Sequence, residues 1–150
     1  MSMNKTKLIL LIVIIIVAIA IIVLGVILSF KIFSKKCEPL TPLALSRFEA
    51  ASNERSEYGE KCEMSGDSYL LILEYNSSES AENAKKALEL ATSGEIENIE
   101  DDVVWINKDG NSSVFWTDKK LLAILVMPGQ NEEDIVEEQL DKAFKKVENY

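Results

Sequence analysis

Carboxylates offer the first chemistry in this chain. The stretch GEIENIEDD places Glu95, Glu97, Glu100, Asp101 and Asp102 within one short segment, and clustered carboxylates bind hard cations such as Ca²⁺. The spacing lacks the ordered ligand pattern of a calcium loop. In Asn107-Lys108-Asp109-Gly110-Asn111 the glycine comes too early for one. Glu97, Glu100, Asp101 and Asp102 are therefore candidate metal ligands by residue type, and a solvated acidic connection explains the same residues.

Cys37 and Cys62 are the only cysteines. They could form a disulfide closing a loop of about 25 residues, worth roughly 3 kcal/mol through the entropy of the unfolded chain. In a reducing compartment they would be two free thiols, and no CxxC or zinc spacing surrounds them. Asn76-Ser77-Ser78 and Asn111-Ser112-Ser113 are glycosylation acceptor sequons, so Asn76 and Asn111 are candidate modification sites. The chain has no histidine, which removes the commonest general base and the commonest zinc ligand. No glycine-rich phosphate loop, nucleophile elbow or cofactor motif is present, and these absences together favour a non-enzymatic role.

Charge is sharply divided. Residues 1–36 hold five lysines and no acid. Residues 37–150 hold the other eleven bases and all 25 acids, a net charge of −14. A field of that sign repels phosphate backbones and anionic lipid surfaces, so a nucleic-acid partner is not expected.

Residues 8–30 carry no charge, and Ser29 has the only polar side chain among them. As a helix this run would be about 34 Å long, enough to cross a hydrocarbon core of ~30 Å. The expected organisation is a cytoplasmic segment over 1–7, a transmembrane helix over 8–30, a juxtamembrane linker with a short helix over 31–66, and an acidic domain over 67–150. Ala18-Ile19-Ala20 has the form of a signal-peptidase site, but Ile21 to Leu28 stays apolar where a cleaved signal turns polar. Lysines flank the run on both sides, so the positive-inside rule gives no orientation. The cysteine pair and the sequons favour an extracytoplasmic domain.

Within that domain, alternation and apolar runs predict strands at 69–75, 103–106, 113–116 and 121–127, with helices at 43–51, 79–92 and 132–148. Asp109-Gly110 marks a hairpin. Ser77 or Ser78 would cap the second helix and Asn131 the third. The order βαβββα implies a small α+β domain: a four-stranded, mainly antiparallel sheet with helices on one face. A crossover after the first strand would place the first and last strands side by side and parallel. Aromatics concentrate on the strands (Tyr69, Tyr75, Trp105, Phe115, Trp116), as core packing requires or as an uncovered binding face would show.

The sequence thus points to a single-pass protein held in the bilayer by residues 8–30, with an outward domain serving a protein partner. Three alternatives stay open. A pilin-like assembly subunit has a similar architecture, but here no Gly or Ala stands between Lys7 and Leu8 for processing and no Glu opens the apolar run. The others are a carboxylate- or metal-dependent enzyme and a cytoplasm-facing regulatory domain.

Overall fold

Two strands of this chain, YLLILEY and LLAILVM, are apolar on both faces, so each face of any sheet containing them must be covered. The computed structural model describes residues 13–24, 37–100 and 102–150, in two units, Met1–Lys36 and Cys37–Tyr150. In the first unit, residues 13–24 form helix α1, whose apolar side chains are exposed all round. The expected transmembrane span extends on both sides of α1 beyond the described residues. Among the described residues no helix is long and apolar enough to cross a membrane.

The second unit is α+β, as expected, with elements β1 (Cys37–Pro39), α2 (Pro42–Ser52), β2 (Ser56–Glu63), β3 (Tyr69–Tyr75), α3 (Ser78–Ala91), β4 (Glu95–Glu100), β5 (Val103–Lys108), β6 (Asn111–Asp118), β7 (Leu121–Met127) and α4 (Glu133–Glu148). They form one sheet in the order β1-β2-β3-β7-β6-β5-β4, every pair antiparallel. The sheet has seven strands rather than four. The end of the region expected as a juxtamembrane linker is β2, and the region expected as an acidic connection is β4.

That extra strand corrects the pairing at the centre. After β3 and α3 the chain runs through β4 before β5, and one added strand reverses the direction of everything after it. β7 therefore lies antiparallel to β3, with Leu70 opposite Leu125 and Ile72 opposite Ala123.

The helices lie on both faces rather than one. Leu70, Ile72, Trp105, Val114, Trp116, Leu125 and Met127 point to one side, where Val136, Leu140, Ala143 and Val147 of α4 cover them. Leu71, Leu73, Tyr75, Phe115, Leu122 and Ile124 point to the other, under Ala81, Ala84 and Leu88 of α3 and Leu45 and Phe48 of α2. The strand aromatics are thus largely core: Trp105, Phe115, Trp116 and Tyr75 are each buried. Burying such side chains is worth about 1.5–3 kcal/mol each, which is why the doubly apolar strands sit in the middle.

Local signals act as expected in most places. Ser77 caps α3 through its hydroxyl, as expected, and Thr41, which carried no expectation, does the same for α2. α4 departs: Glu132 takes the cap position without a side-chain bond, in place of Asn131, and Glu133 and Asp134 complement the helix dipole. Asp109 (φ 52°) and Gly110 (φ 77°) make the β5–β6 turn. Gly59 on β2 lets α2 and the chain before it come down on the sheet, since a Cβ there would meet Leu40, Leu45 and Leu73 at 2.8–2.9 Å.

Tyr75 tests the depth of this packing. It is 1% exposed, and its hydroxyl finds no well-aligned partner among the described residues. Burial raises the phenol from its usual 10.0 to about 12, against a smaller opposing effect of Ser52. The folded state holds this proton more tightly than the unfolded chain, so the stability it confers is complete below pH 10 and disappears as pH rises through 12. Chemical denaturation should therefore show a loss of about 2–3 kcal/mol across that window, reduced in Tyr75→Phe. At pH 7 the same substitution should cost less than about 1 kcal/mol, because no good hydrogen bond is lost. A larger cost at pH 7 would show that the hydroxyl is bonded.

Candidate functional site

The Cys37–Cys62 disulfide is present. It joins directly opposed residues of β1 and β2. Cys62 is fully buried in the core under α4, and Cys37 packs against the same cluster. A three-residue edge strand has little pairing of its own, so the bridge and the Leu40–Gly59 backbone bond hold it to the sheet. A carboxylate oxygen of Glu60 and the two sulfurs lie within 4.8 Å of one another. With the sulfurs bonded to each other, no thiolate remains there to ligate a metal.

The second feature lies at the other end of the sheet, between β4 and α4. Two adjoining hollows, of about 190 Å³ and 230 Å³, share Ile99 and Glu137 in their walls. Their apolar lining comes from Ile99, Val103, Trp105, Val136, Leu140 and Phe144, and their acidic lining from Glu97, Glu100, Glu133, Glu137 and Asp141. All five acids are exposed, and none is paired with a base among the described residues. Lys142 on α4 is engaged with Glu138, which does not line the hollows, at 2.7 Å.

The secondary structure explains this arrangement. On α4, Val136, Leu140 and Phe144 recur every fourth residue and face the sheet. Glu133, Glu137 and Asp141 recur with the same spacing one helical step to the side. On β4, Glu97 stands opposite Trp105 in the β4–β5 ladder, so a carboxylate sits beside the indole. The Trp105 ring is buried, and its Nε1 donor has no partner among the described residues. A wall with apolar floor, acidic rim and no base can hold a cation that also carries apolar surface.

The predicted site residues separate accordingly. Glu97 and Glu100 lie on β4 and line the hollows, with Glu95 exposed at the start of the strand. Asp102 is exposed in the turn before β5, and Asp101 lies outside the described residues. The acids thus stand along a strand and a turn, and their companions come from α4 rather than from one another. Asn76 is exposed in the bend between β3 and α3, where its side-chain oxygen accepts from Ser80. Asn111 is exposed at the start of β6 and accepts from the Gly129 N–H at 2.7 Å.

The sequence reading missed Glu133, Glu137 and Asp141, although their four-residue spacing beside an apolar stripe was a legible signal. On the opposite face of the sheet, buried Lys85 of α3 pairs with Glu89 at 3.7 Å. Burial holds the Glu89 carboxyl above its usual range, partly offset by Lys85. This pair belongs to the α3 layer and has no part in the β4–α4 hollows.

No family model matches this chain, and no curated protein or solved structure matches it either.

The bridge has a measurable consequence. Replacing both cysteines by serine releases a loop closed across a sequence separation of 25. It should lower stability by about 3 kcal/mol and Tm by roughly 10–15 °C, with β1 amides exchanging first. An unchanged Tm in calorimetry would show that β1 holds without the bridge.

Proposed function

We propose that the chain is a single-pass membrane protein, anchored through residues 8–30, whose acidic α+β domain works outside the cytoplasm as a non-enzymatic interaction module. The observation that carries this reading is the Cys37–Cys62 disulfide, fastened seven residues after the uncharged run ends at Phe30. Disulfides persist in oxidising compartments and are rare in the cytosol, so the bridge favours an outward domain where the flanking lysines give no preference. The uniformly apolar circumference of α1 suits lipid better than water. Exposure of Asn76 and Asn111 is compatible with sequons displayed on that side. The interaction role follows from an acidic, cation-ready wall at the β4–α4 end and from the lack of a catalytic arrangement in the sequence.

Surface labelling tests the placement. In intact cells, a membrane-impermeant amine reagent should modify exposed Lys119, Lys120 and Lys145 to the same extent as in lysed cells, read by mass spectrometry. Modification only after lysis would place the domain inside and refute the proposal.

A further inference from the structure

We infer that the β4 edge and the adjoining β4–α4 groove form a docking site for an extended basic segment of a protein partner, with lysine or arginine alternating with apolar residues. The inference rests on the reading of the domain as an interaction module and names the surface and the partner's chemistry.

β4 closes the sheet on one side, and its outer edge pairs with no strand among the described residues. Such an edge presents free backbone N–H and C=O groups, to which an extended peptide can add as a further strand. Most exposed edges are blunted by brevity, proline or lysine. This one is six residues long, contains no proline and carries Glu95, Glu97 and Glu100. Its charge repels a second copy of the same edge, so the edge selects against self-association while remaining open to a strand of opposite sign.

The groove supplies the rest of the match. Glu97, Glu100, Glu133, Glu137 and Asp141 set five negative charges around an apolar floor that includes Ile99 and Trp105, with no base among the lining residues. An added strand alternates its side chains between the two faces of the sheet. Long cationic side chains on the α4 face would lay their stems along that floor and their charges among the rim carboxylates, leaving the alternating apolar residues for the other face. The other face offers Ile96, 60% exposed beyond the cover of α3. Within the sheet, β4 is the edge opposite β1, where the described part of the unit begins at Cys37.

The test uses the full-length, oxidised chain in detergent and a fluorescent nine-residue amidated peptide alternating lysine with valine. Binding is followed by anisotropy. The peptide should bind, about tenfold more weakly in 500 mM than in 50 mM salt, and should slow amide exchange in β4. An analogue N-methylated at alternate residues keeps the charge but loses the strand donors, and should bind at least about tenfold more weakly. Glu97→Gln with Glu137→Gln should cost about tenfold. Glu57→Gln with Glu63→Gln, on β2, should leave binding unchanged.

Equal binding of the N-methylated analogue would reduce the effect to general attraction by the acidic domain and overturn the inference. So would equal losses from the β2 and β4–α4 variants. A dimer of the chain that the peptide dissociates would assign the edge to a second copy and likewise overturn it. Absence of peptide binding refutes the docking site alone, since the surface-labelling result in intact cells does not depend on it.

Discussion

The antiparallel pairing of β3 with β7 is the constraint on which the domain is built. Six register pairs, from Tyr69–Val126 to Glu74–Leu121, join two strands that are apolar on both faces. Neither could serve as an edge without exposing a long hydrophobic ribbon. The chain therefore flanks them with β2 and β1 on one side and β6, β5 and β4 on the other, and covers both faces with helices. Connectivity then dictates the far edge. Since β7 must return beside β3, α3 has to carry the chain past that place, so that three hairpin returns through β4, β5 and β6 can lead back to it. β4 becomes the terminal strand because β3 and β7 must meet.

Electrostatics is organised by the same layering. The core admits few charged groups, and Lys85 is buried only beside Glu89. The remaining acids are displaced to margins, and at the β4–α4 end five of them face one another across an apolar floor. Like charges at such spacing disfavour the folded state by modest amounts in water. α4 lacks a side-chain cap yet tolerates the accumulation, because Glu133 and Asp134 stand at the positive end of its dipole and Lys145 and Lys146 at its negative end. The bland role of the acids on β4 is to keep the edge from pairing with itself. The docking role uses the same charge in the other direction.

What could be read in the sequence follows from which residues each element buries. β3 and β7 announce themselves because both faces are apolar, and α3 and α4 because their buried stripes have helical spacing. β2 was illegible for a physical reason: its buried positions are Ser56, Gly59 and Cys62, small residues offset by a bulge between Ser56 and Tyr58. β4 was illegible because it is inverted in character, with Glu97 beside the core indole and Ile96 outward. Missing β4 also reversed the expected pairing of the central strands and left the helices assigned to one face. The acidic string was recognisable, but its companions on α4 were not, since only the fold brings residues 97–100 to residues 133–141.

The bridge at Cys37 and the open edge at β4 are the two ends of one sheet, one fastened and the other available. Site-resolved amide hydrogen exchange on the oxidised full-length chain tests this account most directly. Amides of β3 and β7 should exchange slowest, at the rate of global unfolding. β1 should be protected by its bridge, and β4 amides not bonded to β5 should exchange orders of magnitude faster than the centre. Protection throughout β4 equal to that of β3 would contradict the account, because it would mean that the edge is already covered.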